Sequence, residues 1–309
     1  MLILLTGGTG MVGRNIRDSM GAAEHDVLCP SRRELDLLDS LAVQRYMDAH
    51  QPDLIIHTAG LVGGILENAR DHVSFMLDNL DIGRNVVAAA MRAGIPRLLN
   101  LGSSCMYPRD MENPLREEHI LTGPLEPTNE GYAVAKIAIL QLCRYVNRER
   151  PGLAYKSLIP CNLYGRHDHF DTARGHMLPM VIARLHLAKQ NGAREVEIWG
   201  DGTARREYLY AGDLGDAIWA AVKDFDTVPE VMNIGSGVDD SINAYYQAAA
   251  EIVGYSGQFV HDLTKPVGMR RKLLDVSRMK AWGFTPAHSL RDGLEVTYQH
   301  YLTNGQGLV

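Results

Sequence analysis

The run Leu2-Ile3-Leu4-Leu5-Thr6-Gly7-Gly8-Thr9-Gly10-Met11-Val12-Gly13 decides how the rest of the chain is read. Unbroken apolar residues suit a strand buried on both faces. Glycines directly after it let the chain turn sharply into a helix, whose free N–H groups and positive dipole end meet an anion. Gly7, Gly10 and Gly13 are spaced GxxGxxG, and Gly8, Gly10 and Gly13 also satisfy GxGxxG. Glycines so spaced also make ordinary turns, but placement straight after an N-terminal strand favours a dinucleotide pyrophosphate. Gly7, Gly8, Thr9, Gly10, Met11, Val12 and Gly13 therefore form the candidate cofactor loop.

Outward from that loop, short apolar runs alternate with helical patterns. Leu2–Leu5, Val27–Cys29, Leu54–His57, Leu98–Leu101 and Ser157–Pro160 read as strands. Asp39–His50, Val73–Ala93 and Tyr132–Arg148 read as helices, with apolar residues returning every three or four positions. This order predicts an α/β fold: a doubly wound parallel sheet covered by helices on both faces. Ala93-Gly94-Ile95-Pro96 and Pro151-Gly152 are helix stop signals. Beyond Gly165 the texture changes. Arg166 to Gly175 reads as a polar loop, 178–190 as a helix, Val196–Trp199 as a strand and Gly200-Asp201-Gly202 as a turn. Asp213–Lys223 reads as a helix, Val231–Ile234 as a strand able to return to the first sheet, and Ser241–Val253 and Ser289–Leu302 as helices around basic Arg270-Arg271-Lys272. The second half thus reads as a smaller, interleaved lobe over the strand ends, where ligands of such sheets bind.

The totals narrow the function. With 309 residues the chain buries a large core as one or two domains, and its 46% apolar and 22% charged content is that of a globular protein. A net charge of −6 argues against a general nucleic-acid binder. No apolar stretch approaches the roughly 20 residues of a membrane span, and the N-terminal run lacks the basic leader of a secretion signal. Cys29, Cys105, Cys143 and Cys161 are widely spaced and form no CxxC pair, so neither a metal site nor a disulfide framework is indicated. A reducing cytoplasm is the simplest compartment for them.

The second strand bears on the cofactor. A ribose-binding carboxylate is expected roughly 20 residues beyond the glycines. Pro30-Ser31-Arg32-Arg33-Glu34 instead presents two guanidiniums first, which match a 2′-phosphate and point to NADPH through Arg32. The alternative makes both arginines solvated surface charges and gives Glu34 the ribose.

Tyr132 and Lys136 stand four apart on one helical face. An ammonium there is expected to lower the tyrosine pKa, so that Tyr132 protonates a carbonyl oxygen as hydride reaches its carbon. Such pairs are common on amphipathic helices; Gly102-Ser103-Ser104-Cys105 at the end of a strand gives this one weight, because Ser103 can bind the same oxygen. Cys105 reads either as a small buried apolar residue or as a thiolate base beside an activated carbonyl. The second reading needs a group that returns a proton, and His176 after the polar loop is a candidate.

These segments resemble the GDP-L-fucose synthase branch of the extended short-chain dehydrogenases/reductases, nearly end to end. The resemblance is carried by Thr6–Gly13, Arg32–Ser40, Val62-Gly63-Gly64-Ile65, Leu101–Pro108, Leu125-Glu126-Pro127-Thr128-Asn129-Glu130, Asn162-Leu163-Tyr164-Gly165, Gly175-His176-Met177-Leu178-Pro179, Trp199-Gly200 and Arg271-Lys272-Leu273-Leu274-Asp275. It implies a Rossmann-type domain over 1–165 that binds NADP(H), with parts of 207–240 returning to it, and a GDP-sugar lobe made of 166–206 and 241–309. It also implies reduction by Ser103, Tyr132 and Lys136, epimerisation by Cys105 and His176, and cofactor contacts from Arg32, Asp39 and Lys136 beside the glycine loop. Asn162, Arg184, Trp199, Arg206 and Lys272 are the implied substrate contacts, although Trp199 also fits a core position and Arg206 a solvated turn. The implied reaction inverts C3 and C5 of GDP-4-keto-6-deoxy-D-mannose and reduces C4 with NADPH, giving GDP-L-fucose in a homodimeric enzyme.

Three segments depart from the branch: Lys265-Pro266-Val267-Gly268-Met269-Arg270-Arg271-Lys272 lacks its usual acidic residue and one proline, Arg206-Glu207-Tyr208-Leu209-Tyr210-Ala211-Gly212-Asp213 is altered, and Leu61 stands where a lysine is usual. All lie outside the five catalytic candidates and bear on substrate more than on reaction class. GDP-colitose-type and GDP-heptose enzymes share the chemistry. A UDP-sugar 4-epimerase or dehydratase, or a non-catalytic dinucleotide-binding module, are the more distant alternatives.

Overall fold

Ile3, Leu4 and Leu5 are fully buried, as a strand covered on both faces requires. That strand is β1 (Leu2–Thr6). The computed structural model describes residues 1–171, 176–265 and 267–305; Thr172, Ala173, Arg174 and Gly175 of the expected polar loop, and Pro266, lie outside the described residues. After β1 come α1 (Met11–Asp18), β2 (Asp26–Leu28), α2 (Ser40–His50), β3 (Leu54–His57), α3 (Ile65–Arg70), α4 (His72–Ala93), β4 (Arg97–Leu101), α5 (Glu130–Glu149) and β5 (Ala154–Pro160). The chain continues through β6 (Asn162–Tyr164), α6 (Met177–Gln190), β7 (Glu195–Trp199), β8 (Arg205–Tyr210), α7 (Ala211–Lys223) and β9 (Val231–Ile234). It ends with β10 (Asp239–Ser241), α8 (Ile242–Val253), β11 (Gln258–Asp262), β12 (Arg271–Lys272), α9 (Ser277–Trp282) and α10 (Leu290–His300).

The main sheet has six strands in the order β2-β1-β3-β4-β5-β9, all parallel. Successive side chains enter opposite layers. Ile3 and Leu5 join one core with Ile16, Leu214 and Trp219, while Leu4 joins another with Val43 and Val86. Thus α1 packs with α7 over one face, and α2, α4 and α5 pack together over the other. Strand order reverses between β1 and β3, which opens a crevice at their carboxyl ends.

Helix ends follow local chemistry. Asp39 caps α2 by accepting from Leu41 N at 2.9 Å and Ala42 N at 3.0 Å. Gly94 ends α4 in the left-handed region, at φ +70°.

The second half builds a smaller sheet around β8, which pairs with β6 and β12 in parallel and with β10 antiparallel; β7 and β11 form a separate parallel pair. Arg206 is therefore on a strand and half-buried rather than in a solvated turn. The run of charge that suggested a turn is absorbed locally: Arg205 and Arg271 both reach the buried Asp239 carboxylate, Arg271 Nε at 2.6 Å. Helices α6, α8 and α10 cover the lobe through Leu178, Ile182, Tyr245 and Leu294. Among the described residues no helix is long and apolar enough to cross a membrane.

Two glycines separate close approach from backbone freedom. A Cβ on Gly13 would stand 2.3 Å from Gly7 O and 2.4 Å from Gly8 Cα, whereas a Cβ on Gly94 meets nothing within 4 Å but inherits the positive φ. Gly94→Ala is expected to cost about 1 kcal/mol in thermal or urea unfolding and to leave dinucleotide binding intact. Gly13→Ala should instead abolish NADPH binding measured by fluorescence titration, because the mouth of the crevice must spread.

Candidate active site

A cleft of about 700 Å³ opens at the carboxyl ends of β1, β3 and β4 and runs on to β8 and β12. Its first wall is the glycine turn. Gly7 takes φ +75°, and Gly10 N donates to Gly7 O at 3.0 Å. Gly10 is the N-cap of α1 and supplies no side-chain acceptor, so the first N–H groups of the helix are left for a ligand. Gly7, Thr9, Gly10, Met11, Val12 and Gly13 all line the cleft. Gly8 does not: a Cβ there would lie 1.8 Å from Cys29 Sγ, so its small size serves packing. This shallow cradle with unspent donors fits a pyrophosphate.

Arg32 lines the far end of the same wall, largely exposed and 4.0 Å from Asp36 Oδ1. Glu34 is committed elsewhere, accepting from Ser31 N at 2.7 Å, a bond that holds its carboxyl below the usual carboxylate range. An available guanidinium and an occupied carboxylate fit a 2′-phosphate better than a bare ribose. Asp39 is outside the cleft lining, its carboxylate spent on the α2 cap. Asn79 went unnoticed in sequence: it receives Leu61 N at 3.0 Å and donates to Leu61 O at 2.9 Å, fixing the β3 loop that faces the cofactor wall.

Ser103, Cys105, Tyr132, Lys136 and His176 all line this one cleft. Ser103 follows β4, and its Oγ accepts from Cys105 N at 3.2 Å. Lys136 is buried on α5, donates from Nζ to Leu101 O at 3.1 Å and sits 5.8 Å from the Tyr132 ring centre. Burial brings its ammonium down to about 8. The expected lowering of the Tyr132 pKa is not what the structure shows. Burial pushes the phenol above its usual value, Cys105 adds to this, and the Ser103 hydrogen bond opposes it. Burial thus holds the phenol in its protonated, donating form, while the Lys136 ammonium donates to a carbonyl. Behind it, the buried imidazole of His57 is 2.8 Å from Thr6 Oγ1 and is brought down to about 3 by burial and then by Lys136.

Cys105 lies in a short turn after Ser103. Asn129 Nδ2 donates to its sulfur at 3.1 Å, and Lys272 Nζ stands 3.9 Å away. Two donors converging on one sulfur suit a sulfur that carries negative charge. His176 is the residue before α6; it is exposed and its ring opens onto the cleft. Burial first, and then His169, hold the imidazole below its ordinary value, with Glu67 pulling the other way and Lys272 adding to the lowering. Its imidazolium is therefore a stronger acid than free histidine.

Asn162, Arg206 and Lys272 also line the cleft. Asn162 donates to Glu207 O at 2.8 Å, and Arg206 Nη2 to Val267 O at 2.7 Å. Arg184 and Trp199 are outside the lining and stack on one another, guanidinium to ring centre 5.8 Å. Asp168 and Tyr208 also line the cleft and had no sequence signal. Asp168 is buried, accepts only from His169 N among the described residues, and is pushed up to about 7 by burial. Among the described residues no cluster of three His, Cys, Asp or Glu side chains could hold a metal ion.

Known proteins agree with this geometry. The family model described as "NAD dependent epimerase/dehydratase family" matches residues 3–235. A GDP-L-colitose synthase of Yersinia pseudotuberculosis is 48% identical over 98% of both chains. A GDP-L-fucose synthase of Azorhizobium caulinodans is 45% identical over 98% of this chain and 97% of its own. A solved GDP-mannoheptose C4 reductase from Campylobacter jejuni, with NADP bound, superposes with a TM-score of 0.88 at 29% identity, covering 97% of this chain and 98% of its own. With its parallel sheet, glycine cradle and Ser-Tyr-Lys set, the chain belongs to the NAD dependent epimerase/dehydratase family.

Proposed function

We propose that the protein is an NADPH-dependent epimerase–reductase that converts GDP-4-keto-6-deoxy-D-mannose to GDP-L-fucose. The observation that carries this reading is the placement of Cys105 and His176 in the same cleft as Ser103, Tyr132 and Lys136. Full-length relatives named GDP-L-fucose synthase and GDP-L-colitose synthase supply the sugar class. The glycine cradle and Arg32 would hold NADP(H), the cofactor bound in one of the solved relatives. Residues 1–165 together with β9 serve the cofactor, and the lobe around β8 serves the GDP-sugar.

The ketone at C4 acidifies the hydrogens on C3 and C5. The Cys105 thiolate takes one of these protons, and the electron pair of the broken C–H bond moves onto the ketone oxygen. Ser103 and Tyr132 donate hydrogen bonds to that oxyanion. His176 returns a proton to the other face of the carbon, which inverts it; once Cys105 has released its proton to solvent and His176 has taken one up, the same pair serves the second centre. When bound, NADPH supplies the hydride that reduces C4. Tyr132 gives its proton to the oxygen, and buried Lys136 offsets the charge left on the phenolate. Arg206 and Lys272 place cations for the diphosphate and Asn162 orients the sugar, while Arg184 and Trp199 are assigned the guanine end, with the indole as a stacking face.

A second reading keeps this chemistry and changes the sugar to a GDP-4-keto-3,6-dideoxyhexose, which the 48% identical relative favours. NMR of the products formed from each keto sugar with NADPH decides between them. The four cysteines, all free, support a reducing cytoplasm as the compartment. A second copy is proposed to pack on α4, where Val73, Met76 and Leu77 remain exposed.

Cys105→Ser should reduce solvent deuterium incorporation at C3 and C5 by about 100-fold or more and leave NADPH binding unchanged. Tyr132→Phe should cut NADPH oxidation by about 100-fold or more and exchange by less; exchange at the normal rate in the serine variant removes Cys105 as the base. Arg32→Asp is expected to raise the KM for NADPH by about 10-fold or more, at an unchanged KM for NADH. In light scattering the protein should run at twice the chain mass and Leu77→Glu at the chain mass; a monomeric wild type ends the dimer assignment.

A further inference from the structure

We propose that Asn129 is a positioning residue for Cys105, holding the sulfur as an acceptor through its side-chain amide. The inference rests on the reading of Cys105 as the base. Asn129 is the residue immediately before α5, the helix that carries Tyr132 and Lys136. Asparagine is among the best residues at an N-cap, where its side-chain oxygen normally receives a helix N–H and contributes about 1 kcal/mol. Here the side chain makes no such capping bond. Other helices of the same chain do use theirs: Asp39, Asp71 and Ser241 all receive backbone N–H groups.

The amide is turned away from the helix, and Nδ2 donates to Cys105 Sγ at 3.1 Å. Oδ1 is buried and has no hydrogen-bond partner, a second cost of the same orientation. A side chain that forgoes its cap and strands a buried oxygen for one contact marks that contact as functional, since structures depart from local rules chiefly at working sites. The preceding Pro127–Asn129 turn fixes the approach: Asn129 N donates to Glu126 O at 3.2 Å, and Glu126 itself receives Thr128 N. Asn129 also lines the cleft. It acts through Cys105, giving the sulfur an N–H donor when it holds the electron pair that takes up the substrate proton.

The test separates cap from sulfur. Asn129→Ser keeps a good helix cap but is too short to reach Cys105, and Asn129→Ala removes both. Each holoenzyme, with NADPH present, is treated with iodoacetamide at neutral pH, and alkylation is read by mass spectrometry on the Cys105 peptide. Thermal midpoint, NADPH affinity and solvent deuterium incorporation into GDP-4-keto-6-deoxy-D-mannose are measured alongside. Both variants should alkylate Cys105 about 5-fold or more slowly and lose exchange by about 10-fold or more, corresponding to one charge-assisted hydrogen bond. The serine variant should do so with a thermal midpoint equal to or above wild type. Alkylation within about twofold of wild type in the serine variant overturns the proposal, as does full recovery of exchange whenever the cap is restored. Alkylation needs no substrate, so it tests Asn129 even if wild-type protein fails to exchange the keto sugar, a result that would instead overturn the proposed reaction.

Discussion

The contact that the site depends on is the approach of α1 to the end of β1, where Gly13 lies so close to Gly7 and Gly8 that no side-chain carbon fits between them. That approach brings the helix N-terminus to the crevice at the β1/β3 switch point, with its first N–H groups unspent. The rest of the cofactor wall is built to match. Asn79 pins Leu61 on the opposite lip, and Arg32 stands exposed at the far end, 4.0 Å from Asp36, while Glu34 is turned back onto its own loop.

Beyond the wall, burial governs the electrostatics. Desolvation outweighs nearby charges for His57, Tyr132, Lys136 and His176, and in each case it disfavours the ionised form. The consequence is a set of groups that keep or give up protons in the directions a reduction requires. Tyr132 keeps its proton, Lys136 is brought down to about 8, and His176 is held below its ordinary value. Arg206 and Lys272 stand on the β8 and β12 side.

Long apolar runs made the main sheet legible, because a strand buried on both faces leaves a continuous signature: Leu2–Leu5, Leu54–His57 and Leu98–Leu101 need no partner to be recognised. Gly94 and Gly152 marked helix ends for the same local reason. The smaller sheet was much less legible. Its strands are short, and β8 begins with two arginines whose partner, Asp239, lies on another strand; charge pairing at that distance leaves no trace in a window of neighbouring residues. The catalytic candidates were legible through motifs, yet Asn129, Asn79 and Asp168 were not. Asn129 stands where a capping residue belongs, and only the coordinates show its amide turned to sulfur. The pKa expected for Tyr132 from spacing alone had the wrong sign, since a pair four apart on a helix says nothing about how deeply the phenol is buried.

Strand β8 has a consequence of its own. It is hydrogen-bonded to β6, β10 and β12 at once, and so couples Asn162, Arg206 and Lys272 to a single ribbon. Those three side chains then share one mechanical support: a change of packing beneath the ribbon repositions them as a group and leaves the glycine cradle undisturbed. A lineage of such proteins could exchange one sugar for another by altering residues under this ribbon while inheriting its redox half intact.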